Sequence, residues 1–360
     1  MAYASGSKNT ADTAVLNTTT GKEKPEKKNY DLNNDGETDI NTSATTSGVN
    51  TVFSKIKSKI EPHQNLFVFI TDHGDPDGNI VLWNDERMSV KTLTKKLKEL
   101  GPEVNIQIVT NICYGGKLTE IDLPNVCVVA NADNNNESIS LEQSDTFTDG
   151  LAHQINQFKS ENKNATLDNL FFWSRKKDLA TNTIHRTTMD HFLDTELIKF
   201  KIEIPQINCT SMQSPIAKLV ANINPVTTAI ANIDTDQSYK TSEVQTLIKK
   251  QKLLESQILE LTKSWSEGQY NELWIQLDIK EKNLISKWDS FSDEKKEKYR
   301  GKLTLEFEKI MKEKYKQEKI ALGLKQDLER LKKEADFFKI ATPKSYERYK
   351  SIRKCLNHTL

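Results

Sequence analysis

This sequence has no excess of positive or negative charge, because 51 lysine and arginine residues are matched by 51 aspartate and glutamate residues. A chain without a basic field has no general electrostatic attraction to nucleic acid or to an anionic membrane, so we expect neither partner. The sequence also lacks any run of the roughly 18 apolar residues that a transmembrane helix needs. Its start, MAYASGSKNT, has neither the basic residues nor the apolar core of a signal peptide. We therefore expect a soluble protein with no membrane span, either cytoplasmic or secreted by a route without a cleaved signal.

Cysteine is scarce as well: the chain has only Cys113, Cys127, Cys209 and Cys355. They are too few and too scattered for a disulfide scaffold or for a paired Cys-x-x-Cys metal site. Glycine and proline nearly vanish after about residue 242, where leucine and isoleucine recur at helical spacing. This pattern predicts two or three long amphipathic helices, broken near residues 268 and 290, in a bundle or coiled coil.

Two short stretches hold most of the chemistry: LFVFITDHGD, with His73, and VNIQIVTNICYGG, with Cys113. Each is an apolar run of strand length that ends on a reactive side chain, which is typical of a buried strand in a parallel sheet. In open α/β sheets the ligand crevice lies beyond the carboxyl ends of the strands. The sequence therefore predicts that the imidazole and the thiol meet at one edge of a sheet.

A cysteine nucleophile needs a base and donors for the oxyanion of the tetrahedral intermediate. Here Cys113 is the candidate nucleophile, His73 the candidate base, and the backbone N–H groups of Gly74 and Cys113 the candidate oxyanion donors. Gly115 and Gly116 are expected to let the chain turn sharply behind the nucleophile. The alternative is a core thiol and a bystander histidine, which would leave a catalytically silent scaffold whose C-terminal helices bind a protein partner.

The first two thirds of the chain alternate strands with helices, which predicts an α/β fold with helices on both faces of a sheet. The predicted elements are helices at 49–60, from Ser89 to about 100 and at 147–159, and strands at 66–71, 80–83, 105–112 and 126–132. We accordingly divide the chain into a polar, partly disordered segment (1–30), an α/β domain (31–235) and an all-α domain (236–360).

Taken together, the strand–His–Gly and strand–Cys motifs resemble the caspase-like superfamily of cysteine peptidases. TDHG, with Asp72 before the histidine, is similar to the legumain (asparaginyl endopeptidase) branch, and NICYGG resembles its nucleophile loop. VCVVANADNNNESIS resembles the family's next strand and a loop that ends in a Glu-Ser pair, here Glu137 and Ser138. The resemblance covers about residues 30–160. It implies a three-layer α/β/α sandwich and a cysteine endopeptidase that needs no cofactor.

Within that resemblance, Cys113 is the nucleophile, His73 the general base, and the family preference puts Asn or Asp at P1. The family's helical C-terminal prodomain covers the active site, which implies self-inhibition by residues 236–360. The opening AYASG resembles only the end of the family's second strand, so the first strand is expected to be missing. Candidates for the substrate pocket follow the third apolar run: Asp133, Glu137 and Ser138.

The stretch DLNNDGETDI fits the opening of a DxNxDG calcium loop, with Asp31, Asn33, Asp35 and Glu37 as candidate ligands. Position twelve of such a loop should be a carboxylate, but here it is Thr42. The alternative is an Asx-rich turn that leads into the helix near residue 49.

Overall fold

The computed structural model describes residues 2, 6, 13–16, 23–26, 31, 35–138, 147–161, 163–178, 185–202, 219, 222–234, 238–264 and 267–359. Their contacts divide the chain into two compact units. Unit 1 comprises Met1–Ile139, Thr183–His185 and Lys280–Ile310, and unit 2 comprises Ser140–Asn182, Arg186–Ile279 and Met311–Leu360. Each unit is thus assembled from segments far apart in sequence, whereas the predicted domains are continuous.

Unit 1 holds most of the strands. A hairpin of β1 (Thr13–Leu16) and β2 (Glu23–Glu26) precedes α1 (Thr46–Lys57), β3 (Asn65–Thr71), β4 (Ile80–Val81), β5 (Arg87–Met88), α2 (Val90–Lys98), β6 (Asn105–Asn111) and β7 (Val126–Ala130). A 3₁₀ helix spans Gly115–Glu120, between β6 and β7. Strands and helices therefore alternate as predicted, and the α/β class is confirmed.

Strands β3, β6 and β7 lie side by side in that order and run parallel. The register pairs Thr71 of β3 with Asn111 of β6. The apolar side chains of β6 and β7 are buried on both faces, as expected for central parallel strands. Strand β3 is different, because its side chains alternate between half-buried and exposed, and Phe67 and Phe69 keep 42% and 40% of their surface.

Helix α2 shows how local sequence sets the elements of unit 1. The Ser89 hydroxyl accepts a hydrogen bond from the N–H of Thr92 (3.1 Å), so Ser89 is the predicted N-cap. Leu93 and Leu97 are buried against the sheet core, and the helix stops before Gly101, whose φ is +101°. Helix α1 begins three residues earlier than predicted, because the Thr45 side chain caps it through the N–H of Gly48 (3.2 Å).

Helices make up nearly all of the C-terminal region, as predicted. Unit 2 contains α3 (Phe147–Ser160), α4 (Leu167–Lys177), the short strand β8 (Arg186–Thr187), α5 (Thr188–Lys199), α6 (Ile223–Ala231), α7 (Ser238–Ser264) and α10 (Pro343–Leu356). Helices α8 (Glu267–Asp289) and α9 (Asp293–Ile340) contribute residues to both units. The breaks between α7, α8 and α9 fall where the sequence predicts them.

The core of unit 2 consists of the predicted leucine and isoleucine stripes together with an aromatic cluster. Buried members of the stripes are Leu247, Leu254, Ile258, Leu261, Leu324, Leu328 and Leu331. The Tyr349 ring lies with its centroid 5.1 Å from that of Phe338 and 5.5 Å from that of Phe337. No helix within the described ranges has both the length and the apolar character needed to cross a membrane.

A buried ion pair joins α5 to α9 within unit 2. Arg330 donates from Nη2 to Asp190 Oδ2 (2.7 Å) and from Nε to Oδ1 (2.8 Å), a bidentate arrangement. Thr187 adds hydrogen bonds to the same carboxylate from its N–H and its hydroxyl, each 2.8 Å long. Burial alone would raise the pKa of the Asp190 carboxyl, but Arg330 and these hydrogen bonds hold it well below its usual range.

We expect Asp190→Asn to lower the free energy of unfolding at pH 7 by about 3–5 kcal/mol, because Arg330 would remain buried without its partner charge. Asp168 also approaches Arg330, at 3.8 Å, but its side chain is 45% exposed. Asp168→Asn is therefore the matched control and should cost at most about 1 kcal/mol. Urea unfolding of the three proteins measures both values, and equal losses would contradict the prediction.

The same pair has a defined pH dependence. The folded-state pKa of Asp190 is depressed. The stabilisation from its charge is therefore complete above the unfolded-state pKa of about 4 and is lost as the pH falls through the folded-state pKa. The stability difference between the wild type and Asp190→Asn should consequently shrink in acid.

Candidate active site

The register of the parallel strands brings His73 and Cys113 to corresponding positions. Thr71 ends β3 and is paired with Asn111, which ends β6. His73 and Cys113 each follow two residues later in their own chain segment. Because neighbouring strands lie about 4.8 Å apart, the two residues emerge side by side at the carboxyl edge of the sheet.

Gly74 lies directly against the backbone of Cys113. A Cβ placed on Gly74 would be 2.0 Å from the carbonyl oxygen of Cys113 and 3.1 Å from its carbonyl carbon. No side chain can occupy that space without moving the backbone of one motif away from the other. The glycine of the His–Gly motif is therefore what allows the two segments to touch.

The Cys113 thiol is half-buried, and Cys113 is the only free cysteine among the residues that the structure describes. Its Sγ lies 3.4 Å from the N–H of Ser138, which donates to it, and 3.5 Å from the carbonyl oxygen of the same residue. Next in the chain, Tyr114 adopts a left-handed conformation (φ 56°) and its N–H donates to Asn136 O at 2.9 Å. A bulky residue in this region costs roughly 1–2 kcal/mol, and such strain is concentrated at functional sites.

Two backbone amides of the contacting segments lack a hydrogen-bond acceptor. The N–H groups of Gly74 and Cys113 have no acceptor in the part of the chain that the structure describes. The His73 side chain is exposed, and its imidazole makes no hydrogen bond to any described residue. Asp72 accepts a hydrogen bond from the N–H of His73 at 2.7 Å, which fixes the backbone of the motif. In free enzymes a base and its nucleophile commonly come into hydrogen-bond contact only when substrate binds.

Asp75 holds the turn after His73 and is a residue that the sequence analysis missed. Its carboxylate accepts hydrogen bonds from the N–H of Asp77 (3.1 Å), from the N–H and Nδ2 of Asn79 (both 2.9 Å) and from Arg87 Nε (3.2 Å). Desolvation alone would raise the pKa of Asp75, but these donors and the Arg87 charge lower it below its usual range. The Asp-Pro-Asp-Gly-Asn turn chemistry could have identified this role.

Asn131, the first residue after β7, is a second residue that was missed. It is fully buried, and its Oδ1 accepts a hydrogen bond from the N–H of Ile112 at 3.2 Å. Its Nδ2 donates to Asn111 Oδ1 and to Ser138 Oγ. One amide thus ties the end of β6 to the loop that contacts the Cys113 thiol. The available signal was a polar residue at the end of a fully apolar strand.

The substrate-pocket candidates have different environments. Ser138 contacts the thiol, and Glu137 accepts a hydrogen bond from the Tyr114 hydroxyl (3.4 Å). Desolvation and the Glu137 charge raise the pKa of that hydroxyl above its ordinary value. Asp133 accepts the N–H of Asn135 at 2.8 Å with its carboxylate and the N–H of Gly116 at 3.3 Å with its carbonyl. Of these three candidates, Glu137 and Ser138 form hydrogen bonds with the Cys113–Tyr114 segment, whereas the described hydrogen bonds of Asp133 go to other residues.

The two glycines after Tyr114 have a role different from the expected one. The left-handed residue of the turn is Tyr114, and neither Gly115 nor Gly116 has a positive φ. A Cβ on Gly116 would instead lie 2.4 Å from the carbonyl carbon of Asp133. The absence of a side chain therefore allows the loop that follows Cys113 to pack closely against the loop after β7.

The predicted calcium loop is only partly described. The Asp31 carboxylate accepts hydrogen bonds from the N–H of Asp35 (3.1 Å) and of Gly36 (3.0 Å), and Asp35 accepts the N–H of Glu37 (2.8 Å). Gly36 has a φ of +90°, so it makes the sharp turn. Asn33 lies outside the described residues. Metal-ligating side chains form no group of three or more within the described ranges, and the calcium site stays a prediction.

Comparison of the sequence with models of known protein families gives no match. Comparison with curated proteins gives none either. The resemblance to the legumain branch consequently depends on the motifs around His73 and Cys113 and on the following strand and loop that end in Glu137 and Ser138.

Gly74→Ala provides a direct test of the contact between the two motifs. The added methyl group overlaps the Cys113 carbonyl, so we expect a loss of about 1–3 kcal/mol in the free energy of unfolding and a changed rate of Cys113 alkylation by iodoacetamide. Asp77→Ala, an exposed position in the same loop, is the control and should leave both quantities unchanged. Wild-type stability and reactivity in Gly74→Ala would contradict the described contact.

Proposed function

We propose that this chain is a cysteine endopeptidase of the legumain type with a caspase-like three-layer fold. The observation that carries the proposal is the contact of Gly74 with the Cys113 backbone at the carboxyl edge of parallel strands. It supports a site in which a thiol, an imidazole and two unoccupied backbone donors serve one reacting carbonyl group. No resident metal or organic cofactor is part of this proposal.

In the proposed reaction, His73 takes the thiol proton and Cys113 Sγ attacks the carbonyl carbon of the scissile peptide bond. The N–H groups of Gly74 and Cys113 donate hydrogen bonds to the oxyanion that forms; losing one such donor typically lowers the rate roughly 100- to 1,000-fold. His73 then returns the proton to the leaving amine as the C–N bond breaks. Water hydrolyses the remaining thioester, again with His73 as base, and restores the thiol.

The proposed P1 preference is Asn or Asp, taken from the resemblance. Glu137 and Ser138 both lie close to Cys113. Glu137 accepts a hydrogen bond from the hydroxyl of the adjacent Tyr114, and the N–H of Ser138 donates one to the Cys113 thiol. An acidic side chain at this point favours a P1 group that donates hydrogen bonds, such as an amide, or one that carries positive charge. Asparagine satisfies both the resemblance and this chemistry.

Self-inhibition by the helical region is a further part of the proposal. Residues 280–310 belong to unit 1, so deleting everything after residue 243 would also remove a part of that unit. The sharper test keeps all helices: a site for a specific protease is inserted after Asp234, and peptide turnover is measured before and after the cut. We expect turnover to rise after the cut, while the same chain with Cys113→Ala stays inactive. Equal rates before and after would dispose of self-inhibition.

A catalytically silent scaffold is the second candidate, and specific observations favour it. The Cys113 thiol contacts Ser138 rather than an imidazole, and β3, which leads to His73, has no neighbouring strand on its outer side among the described residues. In this case the helices would bind a protein partner, and the site would be a relic.

Peptide turnover distinguishes the two candidates. The reduced full-length chain is assayed with fluorogenic peptides that carry Asn, Asp, Arg or Lys at P1. We expect cleavage after Asn or Asp that Cys113→Ala abolishes and that His73→Ala slows by a factor of roughly 100–10,000.

His63→Ala is the matched control for the histidine, because His63 is also exposed and precedes β3 at its other end. It should keep wild-type turnover. Absence of turnover by the wild type, cut or uncut, would favour the scaffold.

A further inference from the structure

One edge of the parallel sheet is open. Strand β3 pairs with β6 on its inner side, and no described strand lies on its outer side. A groove of about 770 Å³ runs along β3, and its other walls include apolar residues of α1: Val49, Val52, Phe53 and Ile56. All of its lining residues belong to unit 1. An exposed strand edge beside an apolar groove is a template for the addition of one more strand.

The backbone of β3 presents unpaired hydrogen-bonding groups at this edge. The N–H of Asn105 in β6 donates to Gln64 O at 3.0 Å, so the carbonyl group of Gln64 points inwards. Because backbone groups alternate in direction along a strand, the groups that point outwards belong to every second residue: Asn65, Phe67, Phe69 and Thr71. Among the described residues, none of these outward N–H and C=O groups has a partner.

The sequence of β3 matches its own reverse in chemical character. It reads NLFVFIT, with Val68 at its centre. Two copies that pair antiparallel about Val68 place aromatic opposite aromatic, aliphatic opposite aliphatic and polar opposite polar: Phe67 with Phe69, Leu66 with Ile70, and Asn65 with Thr71. A symmetric dimer requires a self-complementary patch of this kind.

The same register also matches the backbone groups. It sets the outward-pointing residues of one copy against the outward-pointing residues of the other, and each such pair exchanges two hydrogen bonds. The whole edge therefore forms about eight hydrogen bonds, which lies within the roughly 10 ± 5 of a typical protein interface. A register shifted by one residue would set outward groups against inward ones and lose this match.

The pairing covers the apolar surface that β3 exposes. Phe67 and Phe69 are 42% and 40% exposed, and they point away from the half-buried Leu66, Val68 and Ile70. Antiparallel pairing joins the phenylalanine rings of both copies into one cluster, and cross-strand aromatic pairs stabilise paired strands. On the opposite face, the aliphatic side chains of each copy extend into the groove beside the other strand.

The charges at the two ends of the groove favour the antiparallel arrangement. Lys59 lies between α1 and β3 and lines the groove before the strand begins, whereas Asp72 lines it just beyond the end of the strand. Both side chains are exposed. Antiparallel pairing places Asp72 of each copy opposite Gln64 of the other, near the end where Lys59 lies. Parallel pairing would bring like charges together, so charge complementarity selects the antiparallel dimer.

We propose that this chain forms a symmetric dimer through the outer edge of β3, with two β3 strands paired antiparallel about Val68 and the sheets of both copies joined into one. The proposal does not depend on peptidase activity, because no step of that reaction uses the paired residues. Interfaces that bury less than roughly 1,200 Å² are transient, and a single strand pair falls in this class. We therefore expect a Kd of roughly 1–100 μM.

Sedimentation equilibrium of the reduced full-length chain, over about 1–200 μM, tests for this dimer. We expect a monomer–dimer equilibrium whose Kd rises at least about tenfold in Phe67→Lys, because a lysine replaces a central aromatic pair and blunts the edge. Phe200→Lys is the matched control, since Phe200 is 51% exposed and lies outside β3, and it should leave the Kd unchanged. A chain that is monomeric throughout would leave the edge to a strand of a different protein, and a dimer that Phe67→Lys does not weaken would form elsewhere. Either result overturns the proposal.

Disulfide cross-linking tests the register and needs only conservative changes, so it remains available if Phe67→Lys does not fold. On a Cys113→Ala background, Val68→Cys sets two thiols opposite each other, at a pair whose Cα atoms are about 4.5 Å apart. Oxidised glutathione should then give a covalent dimer. Leu66→Cys is the matched control on the same face, because its two copies lie roughly 13 Å apart along the strands, beyond the reach of a disulfide.

A mixture of two variants completes the test. Leu66→Cys and Ile70→Cys face each other in the proposed register, so they should cross-link when mixed although Leu66→Cys alone does not. The Cys113→Ala parent reports any cross-linking through the remaining cysteines. Cross-linking of Leu66→Cys alone, or no cross-linking of Val68→Cys beyond the parent, would show that the strands do not pair about Val68 and would overturn the proposal.

Discussion

The contact between Gly74 and the Cys113 carbonyl is the constraint on which the candidate site depends. It exists because position 74 has no side chain, and a single methyl group there would overlap the backbone opposite. The parallel register of β3 and β6 brings the two segments to the same level, but strand spacing alone leaves the loops beyond Thr71 and Asn111 free to diverge. Two hydrogen-bonded groups restrict that freedom: Asp75 closes the turn after His73, and Asn131 ties Ile112 to the loop at Ser138.

Sequence reasoning succeeded where the cause is local. Ser89 caps α2 because its hydroxyl accepts a hydrogen bond from the N–H three residues later, so the cap can be recognised from a short stretch of sequence. The strands that precede His73 and Cys113 are visible as apolar runs for the same reason, but the run before His73 also suggested a buried strand, whereas β3 is an edge strand with half-buried and exposed side chains. The Asn131 network joins residues that are close only after β6 and β7 pair, so no local pattern contains it. The left-handed Tyr114 was missed because glycine is the usual residue for such a turn, and Gly115 and Gly116 stand next to it.

Although the net charge of the chain is zero, oppositely charged side chains form close ion pairs in unit 2. Unit 2 buries charged side chains along α9, and most of them meet an opposite charge at short range, as Arg330 meets Asp190 and Lys333 meets Asp194 (2.6 Å). Composition predicts a solvated helix surface from the abundance of lysine and glutamate, but it cannot predict which of these residues point inward.

Strand β3 links the stability of unit 1 to its chemistry. It leads to His73, yet in the described part of the chain it pairs with a strand on one side only, and Phe67 and Phe69 remain exposed on one face. An edge strand with an exposed apolar face is held less firmly than the buried strands β6 and β7. Cys113 follows β6, whose interior residues are buried, so its backbone is held more firmly than that of His73. The position of His73 relative to Cys113 then depends on the Gly74 contact and the Asp75 turn more than on the sheet. A loss of that contact should therefore affect Cys113 reactivity beyond any loss of stability.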